Sequence, residues 1–305
     1  MALFLTVIAN GDCFEQKSQL VDAFLQRNGL ADKPKVVLSA NKAFRVDITT
    51  NSKDISTQHD LDVVAEDAGD FVAVVNSYDH FKPQLCVFDM DSTLIYQEVI
   101  EMIAHYANVE PQVKEITDRA MNNEIDFQES LKLRVSLLKG LPFNELYGEI
   151  CEKIKITNGV QELTRFLHNI NCKTAVLSGG FEPFAQFIQK TLKLDYMKAN
   201  NLEIDSQTHL LTGRVLGQIV DGQCKAETLV SLANAQETPV PIEKTMMIGD
   251  GGNDLPAMAV AGYGVAWNAK PRVQQAAPSK LNSSSLLDVC YILGYNDAEI
   301  KEILA

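Results

Sequence analysis

The chain has 305 residues, of which 27 are Lys or Arg and 40 are Asp or Glu, so its formal net charge is −13. At the usual ~150 residues per domain, this length corresponds to about two domains. A chain this acidic lacks the positive charge that binds nucleic acids and anionic membranes, and no apolar run approaches the ~20 residues of a membrane span. The composition therefore predicts neither a nucleic-acid nor a membrane partner.

The cysteines and histidines are too scattered to predict a zinc site or a disulfide framework. The six cysteines include no C-x-x-C pair, and the five histidines do not cluster. The opening stretch Met1–Asn10 is apolar but has no basic region and no small-residue cleavage site, so it predicts a first strand and not a signal peptide. We expect a soluble, reduced protein of the cytoplasm.

Residues 1–80 predict a small domain whose elements follow the order βαββαβ, as in ferredoxin-like folds. The expected strands are 2–9, Lys35–Ser39, Ala43–Thr50 and Phe71–Asn76, and the expected helices are Lys17–Leu30 and Leu61–Ala68. In this position the pattern resembles the ACT-like regulatory domains that precede some metabolic enzymes, which implies an amino-acid site. A domain used for packing or dimerisation is the alternative. A homodimer formed through this domain is the expected protein partner.

After a linker at Tyr78–Pro83, the pattern of residues 84–305 changes to that of a parallel α/β sheet. Short apolar runs alternate with helical stretches. The expected strands are Leu85–Phe88, Thr174–Leu177, Thr245–Ile248 and Gly264–Trp267. The first three end in polar or glycine-rich turns, at the carboxyl edge where open α/β sheets bind ligands. A helical insertion, at about 97–157, separates the first two strands.

Two of these turns carry side chains suited to chemistry on a phosphate. Asp89 and Asp91 follow the first strand, where one carboxylate is placed to act as nucleophile and the other as general acid and base. Ser178 and Gly179 follow the second strand, where a hydroxyl and free backbone N–H groups suit a phosphate. Each residue alone also fits an ordinary turn or helix cap, so the combination carries the prediction.

The third strand end adds further carboxylates. Asp250, Asn253 and Asp254 lie in the sequence Gly-Asp-Gly-Gly-Asn-Asp. Clustered carboxylates repel one another unless a cation compensates, and hard oxygen ligands beside a phosphate favour Mg²⁺. Lys225, expected just ahead of a helical run Ala226–Ala235, supplies a second positive charge.

The order and spacing of these motifs resemble those of the haloacid dehalogenase superfamily of phosphohydrolases. The motifs are D-x-D-S-T from Asp89, S-G-G from Ser178, the lysine Lys225 and G-D-G-x-N-D around Asp250. The resemblance covers about residues 84–295. It implies a Rossmann-like parallel sheet with a helical cap, Mg²⁺ as cofactor and a small phosphomonoester as substrate.

The resemblance also implies a role for each motif residue. Asp89 would form an aspartyl-phosphate, and Asp91 would protonate the leaving oxygen and then deprotonate the attacking water. The Asp89 carboxylate, the Asp91 backbone carbonyl and Asp250 would hold Mg²⁺. Asp254 would orient a lysine or a metal-bound water from behind the ligands. The groups implied to bind the phosphoryl oxygens are Ser178, Gly179, Lys225 and Asn253.

The insertion resembles the helical cap of phosphoserine phosphatases, through Glu98 and the run from Arg119 to Gly140. This likeness implies that Glu98 meets the substrate ammonium and Arg134 the substrate carboxylate. Met121 and Phe127 would close an apolar lid. Without the motif, Arg134 fits a solvated ion pair, and Met121 and Phe127 fit a helix core.

The expected activity is Mg²⁺-dependent hydrolysis of O-phospho-L-serine to L-serine and phosphate through an aspartyl-phosphate, the last step of serine biosynthesis. A phosphotransferase, or a phosphatase for another small phosphomonoester, is the alternative with the same fold, and the cap residues Glu98 and Arg134 argue against it. A catalytically inactive sensor of a phosphorylated ligand is the alternative from another class. The intact Asp89 and Asp91 argue against that sensor.

Overall fold

A computed structural model describes residues 3–9, 14–49, 71–76, 80–122 and 124–305. Numbered in chain order, the strands are β1 Phe4–Ala9, β2 Lys35–Ser39, β3 Ala43–Asp47, β4 Phe71–Asn76, β5 Leu85–Phe88, β6 Lys173–Phe181, β7 Tyr196–Ile204, β8 Leu211–Leu216, β9 Thr245–Gly249, β10 Tyr263–Trp267 and β11 Lys280–Leu281. The α-helices are α1 Phe14–Arg27, α2 Val99–Ala107, α3 Glu110–Met121, α4 Phe127–Ser136, α5 Phe143–Lys153, α6 Val160–Asn169, α7 Glu182–Leu192, α8 Gly222–Asn234, α9 Leu255–Val260, α10 Pro271–Ala276, α11 Val289–Ile292 and α12 Asp297–Leu304. None of the described helices is both long and apolar enough to cross a membrane.

The first four strands form an antiparallel sheet in the order β2-β3-β1-β4. Successive side chains of a strand point to opposite faces, and β1 uses both of them. Leu5 and Val7 pack with Phe24 of α1, whereas Ile8 joins the core of the second sheet. The predicted strands of this region are confirmed, although β3 ends at Asp47, three residues early. The predicted helix at 61–68 lies outside the described residues.

The remaining seven strands form a second sheet in the order β11-β10-β9-β5-β6-β7-β8. Its pairs are parallel except for β7 with β8. The central strand β5 and its neighbour β9 are wholly buried, as expected where helices cover both faces of a parallel sheet. The turns after β5 and β9 and the last residues of β6 therefore meet at one edge, as the sequence predicts. Strand β6 runs four residues past its predicted end at Leu177, and we call its residues 178–180 the Ser178 turn.

Helices α2 to α5 form the insertion between β5 and β6 and stand on a narrow two-stranded neck. Ile95 and Ile156 form an isolated antiparallel bridge at the base of this neck. Tyr96 N–H donates to the carbonyl of Lys155 at 3.1 Å. The insertion thus reaches the sheet through two short paired segments, which places it over the carboxyl edge as a cap.

The hairpin between β2 and β3 contacts the second sheet through a buried carboxylate. Lys42 Nζ lies 2.5 Å from Oδ1 of Asp288, whose side chain is 3% exposed. The hydroxyl of Ser283 donates to the other oxygen of Asp288. The adjoining carbonyl of Ser284 accepts from Nδ2 of Asn158, at the base of the neck, at 2.9 Å. One loop therefore touches both the N-terminal sheet and the neck of the cap.

Candidate active site

A cavity of about 150 Å³ lies where the turn after β5, the Ser178 turn and the turn after β9 meet the cap. Asp89 and Asp91 line it from the first turn, Gly179 from the second, and Asp250 and Asn253 from the third. Three separate motifs of the sequence thus come together in one site. We call the part of the cavity formed by these turns the sheet end and the part formed by the insertion the cap end.

The turn after β5 directs both aspartates into the cavity. Asp89 still belongs to the sheet, because its N–H donates to the Ile248 carbonyl of β9 at 2.9 Å. The chain then enters one wide turn, Met90–Leu94, in which Ser92 has a φ of 53°. This left-handed residue reverses the chain. Behind it, the Val99 N–H donates to Oδ1 of Asp91 at 2.8 Å and fixes that carboxylate.

Asp91 lies in an environment that favours its protonated form. Its burial raises the pKa of its carboxyl well above the usual range, and the negative charges of Glu98 and Asp89 raise the pKa further. The hydrogen bond from the Val99 N–H and the charge of Lys225 oppose this shift but do not cancel it. A raised pKa favours the protonated form that a general acid needs.

Lys225 is fully buried and joins two carboxylates. Its Nζ lies 2.7 Å from Asp89 Oδ1 and 2.7 Å from Asp254 Oδ1. Burial alone lowers the pKa of this ammonium, but the charges of Asp254 and Asp89 outweigh burial and raise the pKa above its ordinary value. Lys225 therefore stays charged next to Asp89.

The predicted start of the Lys225 helix is wrong by four residues. Helix α8 begins at Gly222, so Lys225 lies in its first turn and not ahead of it. The reason is Asp221, whose Oδ1 accepts from the Cys224 N–H at 2.9 Å and caps the helix.

Asp254 uses both of its oxygens to hold other groups. Oδ1 binds Lys225, and Oδ2 accepts from the Gly251 N–H at 3.0 Å. Burial and the charge of Asp89 raise the pKa of Asp254 to about 6, although Lys225 acts to lower it. Asp254 therefore positions the lysine and the third turn.

A group of carboxylates at the sheet end fits a divalent metal ion. Asp89, Asp250 and Asp254 bring one oxygen each within 4.8 Å of one another. Thr93 Oγ1 donates to Asp250 Oδ1 at 3.1 Å and orients it. Since both oxygens of Asp254 are already engaged, Asp89 and Asp250 are the carboxylates of this group best placed to bind the metal. Burial, followed by the charge of Asp89, raises the pKa of Asp250 well above its usual range.

The Ser178 turn is packed too closely to accept side chains in place of its glycines. The Gly180 N–H donates to Ser178 Oγ at 2.8 Å, and this hydroxyl lies 3.4 Å from Asp91 Oδ2. A Cβ added to Gly179 would lie 2.6 Å from Cζ of Phe127, and one added to Gly180 would lie 2.5 Å from Asp91 Oδ2. Close approach of the cap and of the acid therefore requires both glycines.

The cap end carries one anion and one cation. Glu98 accepts from Ser92 Oγ at 2.7 Å, and Arg134 lines the same cavity from α4. Burial raises the pKa of Glu98 despite the hydrogen bond from Ser92 and the charge of Arg134. Burial lowers the pKa of Arg134, which the charges of Glu98 and Asp91 partly restore.

The predicted apolar lid consists of Phe127 and Met121. Phe127 lines the cavity, and its ring lies against Gly179, as the predicted lid requires. Met121 is the last residue of α3, and its side chain lies outside the described residues. Its part in the lid stays a prediction.

Several polar residues that hold the site were missed at the level of sequence. The sequence does point to Thr93, since it closes the D-x-D-S-T motif two residues after Asp91. It also points to Asp221, because an aspartate before a helical run is a common cap. Gln128, whose Nε2 donates to Asp221 Oδ2 at 2.6 Å, and Asn200, which binds the Gly179 carbonyl, have no local signal.

The fold and the site together define an α/β enzyme with an acidic cavity under a helical cap. The haloacid dehalogenase-like hydrolases match residues 83–262 by their sequence profile. The chain belongs to this family. The fold class predicted from the sequence is therefore confirmed.

Relatives and solved structures narrow the likeness further. The phosphoserine phosphatase of Saccharomyces cerevisiae is 60% identical over 246 residues, which are 81% of this chain and 76% of the relative. That of Vibrio cholerae is 39% identical over 84% of this chain and 76% of the relative. A structure described as a phospho-aspartyl intermediate analogue of phosphoserine phosphatase has a TM-score of 0.64 at 36% identity, over 69% of this chain and 99% of its own. The unliganded probable phosphoserine phosphatase of Vibrio cholerae has a TM-score of 0.73 at 32% identity, over 98% of this chain and 88% of its own.

Proposed function

We propose that this enzyme hydrolyses O-phospho-L-serine to L-serine and phosphate. One observation carries the proposal: the cavity has Asp89, bonded to Lys225, at its sheet end and the opposite charges of Glu98 and Arg134 at its cap end. A substrate with a phosphate at one end and an amino-acid zwitterion at the other matches this arrangement. The names of the relatives support the same substrate.

Asp89 acts as the nucleophile. One of its oxygens attacks phosphorus in line, the bond between phosphorus and the serine oxygen breaks, and an aspartyl-phosphate forms. Asp91 gives its proton to the departing serine oxygen. Its raised pKa keeps that proton available before the step.

The second displacement restores the enzyme. Asp91, now ionised, takes a proton from water, and the water oxygen attacks the phosphorus of the aspartyl-phosphate. The bond from phosphorus to Asp89 breaks, which releases phosphate and the free carboxylate. Asp91 ends the cycle protonated, as it began.

The phosphoryl oxygens bind to groups that surround Asp89. The proposed contacts are Ser178, Gly179, Lys225 and Asn253. The ion pairs of Lys225 support this, because they keep a buried positive charge 2.7 Å from the nucleophile. Asp254 keeps that charge in place from behind.

The cap end recognises the amino-acid part of the substrate. Glu98 receives the ammonium, and the planar fork of Arg134 pairs with both oxygens of the carboxylate. Phe127 and Met121 close over the Ser178 turn and exclude bulk water. The contact between Phe127 and Gly179 supports this lid.

Mg²⁺ is the proposed metal, held by the Asp89 carboxylate, the Asp91 backbone carbonyl and Asp250. The carboxylate oxygens grouped at the sheet end support it, because hard oxygen donors next to a phosphate favour Mg²⁺ over softer metals. When bound, it neutralises charge on the phosphoryl group during transfer.

A substrate panel tests the proposal. Phosphate release with Mg²⁺ is measured from phosphoserine, phosphothreonine, phosphohomoserine and phosphoethanolamine, with Asp89→Asn as the control for contaminating phosphatases. We expect the highest kcat/KM for phosphoserine. Equal values across the panel would indicate a broad phosphomonoesterase, and transfer to an added alcohol in place of water would indicate a phosphotransferase. No release from any of the four would contradict the proposal.

Residues 1–80 are proposed to form a separate domain. Residues 84–305 are proposed to form the catalytic domain, with the cap inserted at about 97–157.

The enzyme is proposed to form a homodimer through its N-terminal sheet. Strand β2 is an edge strand of that sheet, and its Val36 and Val37 are 58% and 62% exposed. An edge strand with exposed valines offers a second copy both backbone hydrogen bonds and apolar contact. Sedimentation of the wild type against Val37→Lys tests this, with a shift to monomer expected in the variant.

The cytoplasm is the proposed location. Five of the described cysteines are free thiols, as expected in a reducing compartment, and they are Cys86, Cys151, Cys172, Cys224 and Cys290. Fractionation of cells with an antibody to the native chain tests the location.

A further inference from the structure

The strand ladder next to the Ser178 turn is interrupted. β6 and β7 pair at Leu177 opposite Lys198 and pair again at Phe181 opposite Asn200. Four residue steps along β6 therefore match two steps along β7, and the backbone between them leaves the ladder. Peptide groups in this gap need partners from elsewhere, because a buried C=O or N–H without a hydrogen bond is costly.

Asn200 supplies one of these partners through its side chain. Its Nδ2 donates to the Gly179 carbonyl at 2.8 Å, and its Oδ1 accepts from the Val220 N–H at 2.8 Å. The residue is 1% exposed. Since a backbone N–H only donates and a carbonyl only accepts, both ends of the amide are assigned without ambiguity.

The bond to Gly179 sets the direction of the next N–H group. A trans peptide unit points its C=O and its N–H in opposite directions. A Gly179 carbonyl held by Asn200 therefore turns the Gly180 N–H away from Asn200. That N–H donates to Ser178 Oγ at 2.8 Å, so it fixes the hydroxyl that lies next to Asp91.

The second bond connects this turn with the buried lysine. Val220 directly precedes Asp221, the cap of α8, and Lys225 lies in the first turn of that helix. One buried amide thus links the backbone of the Ser178 turn to the start of the lysine helix. Both elements are proposed above to bind the phosphoryl group.

We propose that Asn200 is a positioning residue for phosphoryl binding. It touches no reacting atom, and it fixes the separation between the Ser178 hydroxyl and the start of the Lys225 helix. This inference rests on the proposed phosphatase function and extends it. It predicts that loss of Asn200 weakens phosphoryl binding and leaves the cap end of the cavity intact.

Two substitutions and a matched control test this role. In Asn200→Asp, the ionised carboxylate still accepts from Val220 but does not donate to Gly179. Asn200→Ala removes both bonds without adding a charge. Asn201→Asp makes the same chemical change at the next residue of β7, which is exposed. The measurements are calorimetric binding of inorganic phosphate with Mg²⁺ present, and kcat/KM for phosphoserine and phosphoethanolamine.

We expect both Asn200 variants to weaken phosphate binding roughly tenfold or more, since each leaves the Gly179 carbonyl without its donor. Both substrates should lose kcat/KM by the same factor, and Asn201→Asp should match the wild type. An unchanged phosphate affinity overturns the proposal. So does a changed ratio between the two substrates, which would place the damage at Arg134, the proposed partner of the carboxylate that phosphoethanolamine lacks.

The remaining outcomes also decide the question. If neither Asn200 variant folds, as judged by thermal unfolding, the residue is a packing element and the positioning role is wrong. If the wild type hydrolyses no phosphoserine, the proposed function fails, but phosphate calorimetry still tests Asn200 independently. A return of phosphate affinity in Asn200→Asp as the pH is lowered further supports the proposal, because a protonated carboxyl donates to Gly179 again.

Discussion

The two ends of the cavity are built in different ways. At the sheet end, Lys225 and Asp254 are fully buried, and hydrogen bonds of 2.7 Å join the lysine to Asp254 and Asp89. At the cap end, Glu98 and Arg134 stand on an insertion with a narrow neck, and the Nε of Arg134 donates to a carbonyl of its own helix at 3.3 Å. On the proposed roles, the sheet therefore fixes the reacting groups, whereas substrate recognition depends on an insertion that can change without the sheet.

The largest expected effect lies at the sheet end. Asp89→Asn removes the attacking oxygen but keeps the size of the side chain, so kcat for phosphoserine should fall by roughly 10⁴-fold or more. Steady-state phosphate release measures this loss. Asp118→Asn, an exposed change on α3, is the control and should leave kcat unchanged. Near-normal turnover in Asp89→Asn would rule out the covalent mechanism.

A substitution at the cap end should separate recognition from chemistry. Arg134→Ala removes the proposed partner of the substrate carboxylate, so kcat/KM for phosphoserine should fall roughly 100-fold. Phosphoethanolamine has no carboxylate and should lose little. Lys132→Ala removes a charge from an exposed position of the same helix and serves as the control. Equal losses on both substrates would make Arg134 a structural residue and remove the contrast between the two ends.

The pH dependence of stability gives a smaller effect at the cap end. The pKa of Glu98 is raised from 4.5, mainly by burial. The folded state therefore binds the proton more tightly than the unfolded chain, so this contribution to the free energy of unfolding is complete at low pH and is lost as the pH rises through the folded value.

Glu98→Gln should remove the loss of stability that ionisation of Glu98 causes as the pH rises. Between about pH 5 and about pH 8, Tm of the metal-free variant should fall less than Tm of the metal-free wild type. Glu115→Gln, at an exposed position of α3, should follow the wild type. Parallel Tm curves for Glu98→Gln and wild type would show that Glu98 does not titrate as its burial predicts.

The smallest expected effect concerns a hydrogen bond between the helical insertion and the start of helix α8. Gln128 Nε2, on the helical insertion, donates to Asp221 Oδ2 at 2.6 Å. This bond joins the insertion to the residue just before the Lys225 helix α8. Because this bond is exposed, Gln128→Ala should cost about 0.5 kcal/mol, seen as a roughly twofold rise in KM with kcat retained. Gln223→Ala, in the first turn of α8, is the control. A large fall in kcat would mean that the cap also positions reacting groups.

The sequence predicts those parts of the site that follow from local pattern. Apolar strands that end in Asp89, Ser178 and Asp250 place their side chains at one edge because parallel strands share a direction. The predicted start of α8 was wrong because it left out the capping aspartate Asp221, four residues before Lys225. The local sequence also does not predict how the Asp91 side chain is oriented, because that orientation depends on the positive φ of Ser92.

Other parts of the site depend on contacts between distant residues. Asn200 binds Gly179 across 21 positions and Val220 across 20, and an asparagine inside a strand carries no sign of either bond. Its importance arises from the interrupted pairing of β6 with β7, a register that the apolar pattern does not specify. Long-range polar bonds of this kind are visible only in the folded chain.

Through the ion pair of Lys42 with Asp288, the N-terminal sheet helps to stabilise the catalytic domain. Removing residues 1–80 would take away the lysine that pairs with Asp288, whose side chain is 3% exposed in the full chain. It would also uncover the apolar surface that Ile8 now fills. The loop weakened in this way is the one that binds Asn158 below the cap. Shortening the chain would therefore weaken the support of the cap's neck, at a distance from the carboxylates of the cavity.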